Sequence, residues 1–196
     1  MPGFYWFATT GRHVPYESRL EMSVLIELDF AVEVTDVAAQ PFRLACRRNG
    51  KVVNHVPDFF VLLRSGRGQV IDVKPADQVD KPANQAVFDV TRTACQEVGW
   101  DYVVATGPDP VVCANLSWLA GYRRLPADPF GYERLLLDRC EHPTPVVELV
   151  ASVGPPALVR PVLFSLLWRQ ELKVDLARPI ASDTLVALRG HRRDAA

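Results

Sequence analysis

The stretch spanning residues 55–75 constrains the fold most strongly, and it reads HVPDFFVLLRSGRGQVIDVKP. Two apolar runs, at residues 59–63 and 70–73, flank a short segment of Arg, Ser and Gly residues. Apolar runs separated by such a turn-forming segment are typical of a β-hairpin. We therefore predict that two antiparallel strands form the centre of a sheet.

Two acids and a lysine are predicted to meet at one end of this hairpin. A turn centred near Gly66 would place Asp58 opposite Lys74. Side chains alternate along a strand and directly opposed residues share a face, so Asp58, Asp72 and Lys74 are expected on one face. Burying such charges is costly unless they pair or hold a metal. The same spacing also fits a solvated hairpin end with a surface ion pair.

Composition bounds the class of protein. The chain has 196 residues, of which 48% are hydrophobic, and its formal net charge is -1. This content of apolar residues excludes bulk disorder, and the length allows one large domain or a medium one plus a small one. Proteins that hold nucleic acid by electrostatics alone are usually basic. Any nucleic-acid role must therefore rest on a local patch or on partner proteins.

The cysteines and histidines show no metal-binding spacing. The four cysteines form no CxxC, and the four histidines are scattered. We interpret the cysteines as reduced thiols of a cytoplasmic protein. The N-terminus does not combine a basic start with a long apolar run, so no signal peptide is expected. No apolar segment approaches membrane-spanning length, so no membrane partner is expected.

A helix predicted over residues 16–28 carries the first candidate acid. At helical spacing its apolar residues form one arc, and Glu21 falls inside that arc. A core-facing carboxylate needs a partner, which makes Glu21 a candidate site residue. The alternative is that the arc is misjudged and that Glu21 is exposed.

The remaining elements of the first part predict an α/β fold with a mixed five-stranded sheet and flanking helices. Residues 1–15 are predicted to be irregular, and the Asn49-Gly50 pair indicates a tight hairpin turn. Asn115 is predicted to cap a helix that runs to about Arg124. Further strands are predicted at residues 29–37, 42–47, 52–56 and 102–106. One further helix is predicted at residues 83–98.

The sequence changes character after an apparent linker at residues 125–129. Three predicted helices are followed by a pair of short strands, which is the order of a winged helix-turn-helix. We therefore predict two domains, residues 1–124 and 130–196. The third helix of the second domain is mostly apolar, with only Arg160 and Arg169 basic. This favours protein docking or domain packing over base readout, because DNA-reading helices display several polar and basic side chains. The same residues also fit a helix that simply forms the core of the small domain.

A helical acid, then Pro-Asp, then Asp-x-Lys on the next strand resembles the pattern of the PD-(D/E)xK nucleases. Here those positions are Glu21, Asp58, Asp72 and Lys74. Carboxylate oxygens are preferred ligands of Mg²⁺, which activates water and stabilises a leaving oxygen. A neighbouring lysine can orient the nucleophile and stabilise the transition state.

Several further segments occur together with this pattern: YESRLEMSVLIELDF, HVPDFFV, VIDVKP, GWDYVV and NLSWLAGYRR. In this order they resemble the TnsA endonuclease subunit of heteromeric transposases, over residues 16–124. The resemblance implies a restriction-endonuclease-like fold, metal ligation by Glu21, Asp58 and Asp72, and catalysis by these acids with Lys74. It implies Mg²⁺ as cofactor, with Mn²⁺ as a possible substitute. The family often has Gln where this chain has Asp72, so the departure adds a possible ligand, and a role for Glu17 stays open.

The resemblance also implies partners. TnsA-like subunits cut the 5′ strands at transposon ends, while a DDE-type transposase cuts and joins the 3′ ends. An AAA+ ATPase regulator couples the two to target choice, and the complex is expected on the nucleoid with transposon-end DNA. Two alternatives stay open. One is a restriction or repair nuclease that acts alone, and the other is an assembly module without activity.

Overall fold

The computed structural model describes residues 1–48, 51–124 and 128–190. The chain divides into two compact units, Met1–Pro108 and Asp109–Ala196. The helix that begins at Pro110 packs within the second unit. Residues 49–50 of the expected hairpin turn and residues 125–127 of the expected linker lie outside the described residues. In the described parts of the chain, no helix has the length and apolar character needed to cross a membrane.

The first unit combines strands and helices in the α/β manner. In chain order its elements are β1 (Gly3–Phe7), β2 (Arg12–Tyr16), α1 (Arg19–Phe30), β3 (Val34–Ala39), β4 (Leu44–Arg48), β5 (Lys51–His55), β6 (Phe59–Leu63), β7 (Gly68–Val73), α2 (Ala76–Val79), α3 (Pro82–Glu97) and β8 (Asp101–Ala105). Strand β6 has the bounds predicted from the apolar run at residues 59–63. The short helix α2 lies in a segment that the sequence analysis left without secondary structure.

The sheet of this unit is mixed, as expected, but in the described residues it has four strands rather than five. The strand order is β3-β6-β7-β8, with β8 parallel to β7 and the other pairs antiparallel. In the part of the chain that the structure describes, strands β4 and β5 pair with each other alone and form a separate hairpin. The expectation of a fifth strand was wrong because β4 has strand character but finds its hydrogen-bond partners in β5.

The central hairpin has a different register from the one predicted. Phe59 pairs with Ile71 and Leu62 pairs with Gly68. Continuing this register places Asp58 across from Asp72, not from Lys74. The shift is two residues, and because side chains alternate with a period of two, Asp58, Asp72 and Lys74 keep the same parity. The register error therefore does not affect the prediction that these three residues share a face of the hairpin.

The expectation of an irregular segment at residues 1–15 was wrong, since β1 and β2 form an antiparallel hairpin. Tyr5 and Phe7 alternate with exposed Phe4 and enter the core. The turn of the hairpin is fixed by the buried Asp29 of α1. Its carboxylate accepts hydrogen bonds from the Tyr5 hydroxyl at 2.9 Å and from the backbone N–H groups of Ala8 and Thr9 at 2.9 and 3.0 Å.

Helix α1 begins later than predicted, after the N-cap residue Ser18. The Ser18 side chain accepts a hydrogen bond from the Glu21 backbone N–H, which satisfies one donor of the first turn. Val24, Leu25 and Ile26 form the buried side of the helix. Glu21 is half-buried at the edge of this side, one turn before Leu25.

The second unit is a small helical domain with a short sheet. Its elements are α4 (Pro110–Leu119), α5 (Tyr132–Arg139), β9 (Thr144–Pro145), α6 (Val146–Val153), α7 (Pro156–Trp168), β10 (Leu172–Lys173) and β11 (Leu185–Leu188). The strand order is β10-β11-β9, so β9 adds a strand to the pair expected from the sequence. Most of α7 is buried, including Val159, Leu163 and Leu166, so this helix forms the core of the unit.

Asn115 does not cap α4, contrary to the sequence-based expectation. Asp109 is the N-cap, and its side chain accepts a hydrogen bond from the Val111 backbone N–H at 2.8 Å. Asn115 lies inside the helix and is buried. Its side-chain amide donates to the carbonyl oxygens of Leu176 and Arg178, which binds the helix to the loop after β10.

Candidate active site

Two of the four predicted site residues line one small cleft in the first unit. The cleft has a volume of about 100 Å³. Glu21 reaches it from the first turn of α1, and Asp58 reaches it from the chain just before β6. The remaining lining residues are Pro15, Tyr16, Glu17, Ala39 and Gln40.

Glu21 is held in place by the start of its own helix. Its Oε1 accepts a hydrogen bond from the Ser18 hydroxyl at 2.8 Å, and its Oε2 accepts one from the Glu17 backbone N–H at 2.8 Å. This is a capping arrangement, in which an acid in the first turn binds donors that the helix leaves unpaired. The same contacts aim the carboxylate at the cleft, so one side chain serves both the helix end and the site.

Asp58 is fixed by the neighbouring strand. Its Oδ2 accepts a 2.6 Å hydrogen bond from the backbone N–H of Val73, the residue between Asp72 and Lys74. Its backbone carbonyl accepts a hydrogen bond from the N–H of Gln40 at 2.9 Å. Pro57, which is buried, precedes it and limits the backbone there.

The charges around Asp58 converge. The pKa of Asp58 is raised from 3.8 to about 6, and burial is the largest cause. The hydrogen bond from Val73 lowers the pKa, the negative charges of Asp72 and Glu21 raise it, and the ammonium group of Lys74 lowers it. The other three predicted residues therefore all act electrostatically on Asp58. A carboxylate that is partly desolvated near two other acids is the type of group that a cation would stabilise.

Asp72 lies deeper than the cleft. Its side chain is fully buried, with 0% of its surface exposed. The Nε2 atom of His55 lies 2.8 Å from each of its two carboxylate oxygens. The hydroxyl of Tyr102, on β8, donates a 2.5 Å hydrogen bond to Oδ2. Burial, then this hydrogen bond and the negative charge of Asp72, raise the pKa of Tyr102, so its hydroxyl stays a donor.

Lys74 follows β7 and is half-buried. Its backbone N–H donates to the carbonyl of Ala105 at 2.9 Å, which continues the parallel pairing of β7 with β8. Among the described residues its ammonium group has no carboxylate within ion-pair distance, although its charge lowers the pKa of Asp58. The lysine is therefore near the acids without being neutralised by one of them.

The carboxylate oxygens at this cleft are chemically suited to bind a hard divalent cation. Carboxylate oxygens are the ligands that Mg²⁺ prefers, and Glu21 and Asp58 present them to one cleft. Within the ranges that the structure describes, no three His, Cys, Asp or Glu side chains are grouped closely enough to hold a metal ion. Asp72 is the acid that stays apart, because His55 and Tyr102 engage its oxygens.

Three residues of this region were not predicted as site residues. His55 and Tyr102 contact Asp72, and Gln40 lines the cleft and donates to Glu17 Oε1 at 2.8 Å. Gln40 also has a positive φ of 46°, which is uncommon for a residue with a side chain. The position of His55, three residues before Asp58, could have marked it as a candidate site residue from the sequence. The contact of Tyr102 with Asp72 could not be predicted in this way, because it depends on the parallel pairing of distant strands.

A family model described as the TnsA-like endonuclease N terminal matches residues 32–107 of the chain. The matched segment contains Asp58, Asp72 and Lys74 and begins after Glu21. No curated protein matches the chain.

Proposed function

We propose that this protein is a DNA endonuclease subunit of a heteromeric transposase, because residues 32–107 match the family model of the TnsA-like endonuclease N terminal. The family indicates a nuclease-type role in transposition. The finer proposal is a metal-dependent enzyme that cuts the 5′ strands at transposon ends during excision. The observation that carries it is that Glu21 and Asp58 line one cleft, while the N–H of Val73, the residue between Asp72 and Lys74, donates a 2.6 Å hydrogen bond to Asp58.

We propose that Glu21, Asp58 and Asp72 hold Mg²⁺, with Mn²⁺ as a substitute. When bound, the ion supplies positive charge for phosphate oxygens and lowers the pKa of a water molecule. Glu21 and Asp58 present oxygens to the cleft, and the negative charge of Asp72 lies behind them. The raised pKa of Asp58 supports this assignment, because its carboxylate is desolvated by burial and lies near two other acids, and a bound cation would stabilise its charge.

Lys74 is proposed to act on the reacting groups themselves. Its ammonium group carries three donors and is not paired with a carboxylate in the described residues. It is therefore available to orient a water molecule beside the scissile phosphate and to stabilise the negative charge that develops there. An alanine at this position would leave the carboxylates in place and remove only this cationic donor.

The partners follow from the proposed role. They are transposon-end DNA, a DDE-type transposase that acts on the 3′ ends, and an AAA+ ATPase regulator. The formal net charge of -1 supports delivery by a partner, because strong sequence-independent DNA affinity comes from neutralising phosphates with basic side chains.

We propose that the second unit is a winged-helix domain that contacts protein rather than reading bases. Its three helices α5, α6 and α7, and its sheet order β10-β11-β9, support this fold. Helix α7 is mostly buried in the unit, and its exposed residues include few basic groups. A groove of about 490 Å³ beside its N-terminal half is lined by aromatic and apolar side chains with Arg160, which suits a protein segment better than a phosphate backbone.

The test combines the full chain with the proposed partner, a DDE-type transposase, Mg²⁺ and a plasmid that carries both transposon ends. Excision with wild type, and its loss with Lys74→Ala, is the expected result. Lys81→Ala is the matched control, because Lys81 is an exposed lysine of the same unit. Cleavage without the transposase would support a nuclease that acts alone, and an assembled but uncut complex would support a module without activity.

A further inference from the structure

Residues 55–58 and strand β7 are tied together by hydrogen bonds that run in both directions. The backbone N–H of Val73 on β7 donates to Asp58 at 2.6 Å. Across the same pair of segments, His55 contacts both oxygens of Asp72 at 2.8 Å. Each of the two acids is thus held by the segment that carries the other, and neither can move without disturbing a bond to its neighbour.

His55 and Tyr102 form a clamp on Asp72, and both residues lie on strands of the fold. His55 is the last residue of β5, and Tyr102 lies in β8, which pairs directly with β7. Both side chains contact a carboxylate with none of its surface exposed to water. The Tyr102 hydroxyl donates to Oδ2, and Nε2 of His55 lies within hydrogen-bond distance of both carboxylate oxygens. Together they fix the orientation of the carboxylate plane.

The position of this clamp separates it from an ordinary buried polar cluster. Asp72 immediately precedes Val73, which binds Asp58, and lies two residues before Lys74. The negative charge of Asp72 also acts directly on Asp58. A change in the orientation of Asp72 would therefore act on Asp58, both through the neighbouring Val73 N–H and through the charge of Asp72.

We infer that His55 and Tyr102 are positioning residues of the proposed metal site and act on it through Asp72. The inference rests on the proposed function, because it concerns the cation that the site would hold. Donors that orient a ligand carboxylate typically change metal affinity by about 10- to 100-fold when they are removed. His55 sets the orientation through both oxygens, and Tyr102 contributes through one.

The test measures the affinity of the full-length protein for Mn²⁺ alone, by isothermal titration calorimetry. His55→Ala is expected to weaken Mn²⁺ binding by about 10-fold or more. His55→Gln is expected to recover most of the affinity, because its amide nitrogen can occupy the place of Nε2 and donate to Asp72. Tyr102→Phe removes one donor at nearly constant volume and is expected to weaken binding less than His55→Ala does.

Two matched controls separate positioning from folding. Tyr5→Phe removes a comparable bond, since the Tyr5 hydroxyl donates to the buried Asp29 at 2.9 Å in another part of the unit. His13→Ala removes an exposed histidine. Both controls should keep wild-type Mn²⁺ affinity. Melting curves in EDTA identify any variant that fails to fold, in which case His55→Gln and Tyr102→Phe carry the test.

Wild-type Mn²⁺ affinity in folded His55→Ala and Tyr102→Phe would overturn the inference and leave these residues a purely structural role. An absence of Mn²⁺ binding by the wild type would overturn it as well. If Mn²⁺ affinity depends on His55 while the wild type with its transposase cuts no DNA, the nuclease proposal fails and the positioning role stands.

Discussion

The backbone N–H of Val73 donates a 2.6 Å hydrogen bond to the Oδ2 atom of Asp58. This bond connects the residue between Asp72 and Lys74 to the acid that precedes the neighbouring strand. It lowers the pKa of Asp58, but burial and the charges of Asp72 and Glu21 outweigh it, and the pKa rises to about 6. The site is therefore preorganised by a backbone contact and carries an excess of negative charge.

Asp58→Asn is expected to stabilise the metal-free protein at neutral pH and not in acid. A pKa raised on folding favours the folded state below the unfolded value of 3.8, and this contribution is lost as pH rises through about 6. The asparagine has no charge to lose, and its Oδ1 can still accept the Val73 hydrogen bond. Calorimetry in EDTA should show a higher Tm for the variant by on the order of 3 °C at about pH 7.5, and no gain at about pH 4.

The control for this comparison is Asp80→Asn, which changes an exposed acid of the same unit. It should leave the Tm unchanged at both pH values. An equal gain for Asp58→Asn at both pH values would contradict the account, because a desolvated charge acts only where it is ionised.

Divalent cations are expected to stabilise the wild type through the same acids. A ligand that binds only the folded state stabilises it by about 1.4 kcal/mol at ten times its Kd. Addition of Mg²⁺ should therefore raise the Tm, EDTA should reverse the rise, and Asp58→Asn should respond much less than Asp80→Asn. An equal Mg²⁺ response in the two variants would place the bound ion away from Asp58.

Gly68→Ala is expected to destabilise the central hairpin by about 1–3 kcal/mol. A Cβ atom at Gly68 would lie 2.5 and 2.8 Å from the Phe60 ring. The ring cannot easily retreat, because it packs on Trp100 with a centroid distance of 4.7 Å. Urea unfolding should show a lower midpoint, and adding Phe60→Leu should recover part of the loss.

Gly121→Ala is the matched control for that experiment. A Cβ atom at Gly121 meets no atom within 4 Å. If both alanine variants unfold at the same urea concentration, the close approach of β7 to the Phe60 ring does not limit stability.

Asn115→Ala is expected to loosen the loop between β10 and β11. The Asn115 side chain donates to the carbonyls of Leu176 and Arg178 at 2.9 and 2.8 Å and accepts from the Ile180 N–H at 3.2 Å. Leaving buried backbone groups unpaired costs about 1–3 kcal/mol for each group. Hydrogen–deuterium exchange should therefore accelerate over residues 176–180. Glu148→Ala, an exposed change in the same unit, should not alter exchange there.

The central hairpin could be predicted from the sequence because its apolar runs are bounded by glycines and a proline. Its register could not be predicted, because several glycines and polar residues could form the hydrogen bonds that fix the position of the tight turn. The prediction that Asp58, Asp72 and Lys74 share a face depends only on parity, so it did not require the correct pairing. Glu21 was identified from helical periodicity, although helix α1 begins three residues later than expected.

Contacts between distant segments account for the misreadings. Asparagine is a common N-cap residue, but the Asn115 side chain is buried against the loop after β10 and therefore binds that loop instead of capping the helix. The β1–β2 hairpin is fixed by Asp29, which lies more than twenty residues away and in a helix. Likewise, the contacts of His55 and Tyr102 with Asp72 join three strands whose spatial order the sequence does not state.

The most direct measurement maps the cut strand on end-labelled transposon-end DNA with the protein, its transposase and Mg²⁺. The account predicts a break on the 5′ strand that requires the transposase, disappears with Lys74→Ala and persists with Lys81→Ala. A 5′-strand break that survives in Lys74→Ala, or that is absent with the wild type in an assembled complex, would contradict it.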